Sequence, residues 1–129
     1  MNNFIYYIVD YLKEIEVGYP VHIGVFDDKE SIVVKPISGS EVIHEYMNGM
    51  MDVRLPFEMS IKSKNQEEAF NVLTKVMTHM RHIKSFLDKE HQDHGLLNVV
   101  IDQIPFFEGK KKDGYFYYHA TMRVDLTVQ

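Results

Sequence analysis

The chain has 129 residues, of which 45% are hydrophobic and 26% charged, the balance of one soluble globular domain rather than a disordered or fibrous chain. It contains no cysteine, which excludes a disulfide framework, thiolate-held zinc or iron–sulfur, and a cysteine nucleophile. The net charge of −5 argues against a protein whose task is to grip nucleic-acid phosphates.

Residues 2–16 read as an amphipathic helix. Phe4, Ile5, Ile8, Val9, Leu12 and Ile15 recur at spacings of three and four. Asn2 or Asn3 is placed to cap it, and Gly18 and Pro20 end it. The apolar run at 4–9 is broken by Asp10 and Lys13, far short of the about 20 residues of a membrane span. Neither a basic stretch nor a small-residue cleavage site flanks it, so no secretory signal is expected.

Residues 21–47 read as short strands. Val21, Ile23 and Val25 alternate with His22 and Gly24. The polar tip Asp27-Asp28-Lys29-Glu30 leads into Ile32-Val33-Val34, so a hairpin is expected. Ser38-Gly39-Ser40 is the next turn, and residues 42–46 follow as a third strand. Asn48-Gly49 signals a turn, with Met47, Met50 and Met51 around it. Over 52–62, Val53, Leu55, Phe57, Met59 and Ile61 share one face of a strand, and Arg54, Glu58, Ser60 and Lys62 the other. Pro56 cannot donate to a ladder and suggests an edge or a bulge.

Residues 65–90 are expected to form one long helix, opened by a capping box of Asn65 and Glu68. Its stripe is Ala69, Val72, Leu73, Val76, Met80, Ile83 and Leu87. Residues 91–95 are a polar loop and 96–104 a strand whose two faces are both apolar enough to be covered. Residues 106–113 read as a loop closed by Asp113-Gly114. Over 115–127, Phe116, Tyr118, Ala120, Met122, Val124 and Leu126 face one way. Tyr115, Tyr117, His119, Thr121, Arg123, Asp125 and Thr127 face the other. The expected architecture is a single α+β domain spanning 1–129. Its sheet is mostly antiparallel, with an N-terminal helix and one long helix packed on it, in the order α-β-β-β-β-α-β-β.

Chemistry-bearing residues are present but unassembled. His79 and His82 are three apart, as are His91 and His94 with Asp93 between them, a spacing that metal sites use. No local motif fixes a third ligand, His82 falls outside the apolar stripe, and His91 and His94 lie in a loop. They read as structural or solvated, with no metal and no other cofactor expected. Asp27, Asp28 and Glu30 sit at a turn, and Glu67 and Glu68 in a helix first turn, where solvated carboxylates belong. No phosphate-cradling glycine loop, nucleophile elbow or zinc-helix motif occurs, so no catalytic residue is assigned and an enzyme is not expected.

Surface residues are more telling. Tyr115 and Tyr117 form an aromatic row on the polar face of the last strand, beside Arg123; such a row reads equally as an interface, where aromatic rows are enriched, or as cross-strand packing under a second layer. Met47, Met50 and Met51 are an apolar patch on a turn, which is unusual unless something covers it. Lys110, Lys111 and Lys112 form a basic loop next to Phe106 and Phe107. It reads first as a solvated hairpin tip, and otherwise as a contact for nucleic acid or, in an oligomer, a patch against a neighbouring copy.

The stretch Leu55-Pro56-Phe57-Glu58-Met59-Ser60-Ile61-Lys62-Ser63-Lys64, running into Gln66-Glu67-Glu68-Ala69, resembles the minor capsid or tail-terminator proteins of phages and prophages of Gram-positive bacteria. So does the closing segment. There Ile104-Pro105-Phe106-Phe107 and a charged loop precede Gly114-Tyr115-Phe116-Tyr117-Tyr118 and Arg123-Val124-Asp125-Leu126. Residues 36–51 do not share the likeness. The resemblance implies a non-enzymatic virion protein at the head–tail junction, present in the host cytoplasm during assembly. It would form a homo-oligomeric ring, commonly a hexamer. Such a ring ends polymerisation of the major tail-tube protein and faces the head connector or a head-completion protein. Six copies at −5 would surround a channel with about −30 charges and keep passing DNA from sticking. Two alternatives stay open: another head–tail joining or baseplate-type protein of the same machinery, and a small α+β metal-binding protein or enzyme using the histidines.

Overall fold

A computed structural model describes residues 4–129; the capping role expected of Asn2 or Asn3 lies outside them. The chain runs α1 (Phe4–Glu14), β1 (Val21–Ile23), β2 (Ser31–Pro36), β3 (Glu41–Glu45), β4 (Met51–Ser63), α2 (Gln66–Met80), α3 (Ile83–Glu90), β5 (Leu96–Lys110) and β6 (Phe116–Val128). This is a mixed α+β domain. Six strands form one sheet ordered β1-β2-β4-β6-β5, with β3 also paired to β4, and every pairing but β1–β2 is antiparallel. No helix among the described residues is long and apolar enough to cross a membrane.

The core lies on one face of the sheet. The expected alternation places Val53, Leu55, Phe57, Met59 and Ile61 of β4 beside Ala120, Met122, Val124 and Leu126 of β6, all buried. Against them pack Phe4, Ile8 and Leu12 of α1, Leu73, Val76 and Met80 of α2, and Ile83 and Leu87 of α3. α2 lies across β4, β6 and β5, while α1 covers β1 and β2 and meets α3. Among the described residues the other face carries no helix.

The helix expected over 65–90 is two helices. α2 ends at Met80, and the His82 amide turns back to the His79 carbonyl at 2.9 Å. That carbonyl also accepts from the Tyr11 hydroxyl at 2.9 Å. The apolar stripe continues through the break, since Met80 and Ile83 are both buried, so periodicity alone does not reveal it. The break turns α3 toward α1, where Phe86 meets the Tyr11 ring at 5.2 Å. The capping box is half formed. Asn65 Oδ1 accepts from the Glu68 amide at 2.9 Å, but the Glu68 carboxylate accepts from the Tyr19 hydroxyl instead.

The hairpin expected between 21–25 and 32–34 is a parallel pair, with Val21 opposite Ile32 and Ile23 opposite Val34. Residues 24–30 carry the chain back to the starting end rather than reversing it in a tight turn. Asp27 organises this return. Its carboxylate accepts from the Lys29 amide and contacts His22 Nε2, both at 2.8 Å, and its carbonyl accepts from Lys62 Nζ at 2.6 Å. Phe26 then lies over the open sheet face, edge-on to Tyr117 at 5.5 Å.

Pro56 stands neither at an edge nor at a bulge, because β4 and β6 pair without interruption along its length. On its other side β4 changes partner there, from β2, which ends at Pro36 opposite Phe57, to β3, which begins at Glu41 opposite Arg54. A missing amide costs least at such a handover. The Pro56 carbonyl still accepts from the Ile37 amide at 3.2 Å.

The start of α2 is tied to β2 by Glu30, whose carboxylate accepts from the Ser63 hydroxyl and the Lys64 amide, both at 2.8 Å. The Lys64 amide first, and the Ser63 hydroxyl second, hold the Glu30 carboxyl below its usual range. A carboxyl with a lowered folded pKa adds stability above its unfolded value of about 4.3, and that stability is lost as pH falls through the folded value. The Glu30→Gln variant should therefore melt below the wild type at pH 7, with the two melting curves converging below about pH 4. A gap unchanged down to pH 3 would refute the role of Glu30.

Candidate interface surfaces

Of the two readings of the aromatic row on β6, the packed one holds for Tyr117. Tyr117 is only 6% exposed. Its ring is covered by Phe26 and by Lys111 Nζ at 4.1 Å, and its hydroxyl donates to Asp113 Oδ2 at 2.5 Å. Burial, and then the Asp113 carboxylate, push its phenol up to about 12. Tyr115 is half-buried, with Lys62 Nζ 4.8 Å from its ring. Lys62 is itself buried, between the Tyr115 and Phe26 rings. The two tyrosines thus fasten the 24–30 loop and the β5–β6 turn over the open sheet face. The signal that points this way is Phe26, a large aromatic directly before the polar run 27–30.

Arg123 is half-buried on the same face and pairs with Asp102 of β5 at 3.7 Å. The lysine run is divided. Lys110 is the last residue of β5, with its Nζ 5.3 Å from the Phe116 ring, and Lys111 pairs with Glu108 at 3.1 Å. Lys112 stands exposed in the turn. The loop expected over 106–113 is therefore mostly strand. β6 offers partners as far as Lys110, opposite Phe116.

β5 is an edge strand, and neither the coverage expected of both its faces nor a clean alternation is found. Leu97, Ile104, Phe106 and Phe107 are 54%, 75%, 43% and 46% exposed. Its register shifts four times, and Pro105 interrupts its ladder. Bulges and proline are devices that stop an edge from pairing with another strand. Contact along this flank must therefore use side chains.

Those side chains shape a groove. Phe70, Thr74, Met77 and Thr78 of α2, Arg81 just past its end, and Ile101, Ile104 and Pro105 of β5 enclose about 240 Å³. Phe70 and Phe107 both lie against the Tyr118 ring, at 5.7 and 5.2 Å, and extend the apolar wall. Sequence reading misses this groove because its walls come from two elements and Ile104-Pro105-Phe106-Phe107 looks like the start of a loop.

The methionine patch resolves into a projecting hairpin. β3 and β4 are joined by a tight turn, in which the Tyr46 amide donates to the Met50 carbonyl and Asn48 Oδ1 accepts from the Met50 amide. Gly49 takes the left-handed φ of +88° that such a turn needs. Met47 at the tip is fully exposed, Met50 is half-buried, and Met51 packs partly against the core. Every residue of β3 is exposed. Val42, Ile43, Tyr46 and Met47 are thus exposed apolar side chains on a hairpin that also carries Glu41, His44, Glu45 and Asp52.

Several polar side chains tie neighbouring strands together. Ser60 Oγ lies 2.6 Å from His119 Nδ1 and donates to Glu58, and the Glu108 carboxylate lies against His119 Nε2. This serine–histidine–acid contact looks like a nucleophile and its base. Ser60 is only 2% exposed, and the cluster ties β4, β6 and β5 side by side along one wall of a cavity of about 460 Å³ that Phe26, Lys35, Lys111 and Tyr117 also line. His91 contacts Asp10 at 2.8 Å and stacks on Tyr7, while His94 contacts Asp88 at 2.7 Å and accepts from the Leu96 amide. Among the described residues no three His, Asp or Glu side chains gather as a metal-ligand set. No protein-family model matches the chain, and no curated protein matches it in sequence.

Proposed function

We propose that the protein is a non-enzymatic assembly protein of a phage tail, a tail terminator that forms a homo-oligomeric ring at the head–tail junction. The observation that carries this reading is the pair of exposed apolar surfaces on opposite flanks of the sheet, the β3–β4 hairpin on one side and the α2–β5 groove on the other. A closed ring needs two different patches on each subunit, whereas a two-fold dimer needs one patch facing itself. The choice of a tail ring among ring-forming proteins rests on the resemblance, whose residues lie on β4 with the start of α2 and on β5 with β6. In this reading the partners are further copies of the chain, the tail-tube protein below and the head connector above.

The test combines sedimentation velocity, negative-stain microscopy and tube growth. The protein should sediment as a monomer when dilute and as a ring-sized particle when concentrated or mixed with the tail-tube protein encoded in the same genome. Tubes grown in its presence should stop short and carry a ring at one end. Rings that leave tube length unchanged would favour another joining protein of the same machinery. A chain that stays monomeric under every condition would overturn the assembly reading.

A further inference from the structure

We infer that the β3–β4 hairpin of one copy seats in the α2–β5 groove of the next copy, and that this contact closes the ring. The inference rests on the ring reading and names the two surfaces it leaves open.

Position is the first argument. Across this part of the sheet the strands run β3-β4-β6-β5, so hairpin and groove lie on opposite flanks. Joining the one to the other repeats head to tail, and a head-to-tail contact can close into a ring. Shape is the second. The hairpin ends in Met47, fully exposed and flanked by Tyr46, and a methionine adapts readily to an irregular apolar slot. The groove is apolar except for Thr74, Thr78 and Arg81.

Charge is the third argument, and it decides between unlike and like pairing. The hairpin carries Glu41, His44, Glu45 and Asp52. Glu41 and Asp125 hold Arg54 at 3.4 and 2.9 Å, and Asp52 accepts from the Tyr46 and Thr127 hydroxyls, so Glu45 is the carboxylate left to meet a partner. Arg81 is the single charged residue lining the groove. Hairpin against hairpin would set carboxylates together, and groove against groove would set guanidinium against guanidinium. Hairpin against groove sets opposite charges together at the rim, where they steer docking. The bulged, proline-bearing β5 edge excludes the competing mode, in which β3 would extend the neighbour's sheet.

The native chain has no cysteine, so single thiols report the contact directly. Met47→Cys and Thr78→Cys both alter exposed positions. Under conditions in which sedimentation shows assembly, a short bismaleimide should join these two variants when they are mixed and leave each alone uncrosslinked. The double variant should give a ladder ending at the subunit number of the ring. Ile104→Glu should keep the circular dichroism of the wild type and raise the concentration for half-assembly at least about tenfold. Crosslinking within either single variant as fast as in the mixture would overturn the inference. So would assembled rings with no Met47–Thr78 product, or normal assembly of folded Ile104→Glu. Either of the last two leaves the ring reading standing, whereas absence of assembly by the wild type removes both.

Discussion

Truncating Phe57 to alanine should cost about 3–5 kcal/mol and lower the melting temperature by roughly 10–20 °C. Phe57 is fully buried at the centre of β4, opposite Pro36 of β2 and Met122 of β6. Its ring is surrounded by sheet neighbours and by the helix layer, so the space left by its removal cannot collapse without moving a strand. A domain of this kind has about 5–15 kcal/mol of stability in all, and this one change removes a large share of it. Phe106 on the edge strand is 43% exposed, and its truncation should cost under about 1 kcal/mol. Urea unfolding of the two variants checks the pair. Equal costs would mean that the core is placed on the wrong face or the wrong strand.

Replacing Tyr117 by glutamate should destabilise the monomer by about 3–5 kcal/mol, the cost of leaving a buried charge uncompensated. The new carboxylate would stand where a 6% exposed ring now packs on Phe26, and beside Asp113, which the Tyr117 hydroxyl and then the Tyr115 amide hold ionised below its usual range. Lys111 and Lys62 are near but already engaged with the aromatic rings of this cluster. Tyr117→Phe keeps the ring and loses the hydrogen bond to Asp113, whose exposed carboxylate then turns to water, so it should cost only about 1 kcal/mol. If Tyr117→Glu instead melts within a few degrees of the wild type, the ring is not part of the fold and the open sheet face becomes available to a partner. A large loss with Tyr117→Glu and a small one with Tyr117→Phe would show that this face is closed by the chain itself. That result leaves the hairpin and the groove as the surfaces for assembly.

The candidate surfaces are unevenly legible in the sequence, for a physical reason. Asn48-Gly49 marks a turn by local chemistry, so an exposed Met47 follows from a few neighbouring residues. Tyr117 needs knowledge of Phe26, ninety-one positions earlier, before its burial can be seen. The groove needs α2 and β5 side by side, and nothing within either segment announces the other.

The same division runs through the fold. Alternation along β4 and β6 and the three-and-four spacing in α1 and α2 determine which side chains enter the core, because burial on one face requires a matching period. Asn65 marks the start of α2 through a hydrogen bond that spans three residues. These features depend on neighbours in the chain and are legible there. The break at 81–82, the parallel direction of β1, the extension of β5 to Lys110 and the place of Pro56 depend on distant partners. Tyr11 takes the His79 carbonyl, Lys62 holds the return loop through Asp27, and β6 supplies the pairing for the end of β5. Where β4 passes from β2 to β3, a proline fits in an inner strand. Local periodicity carries the energy of burial, and only the assembled sheet decides where hydrogen bonds between remote segments close.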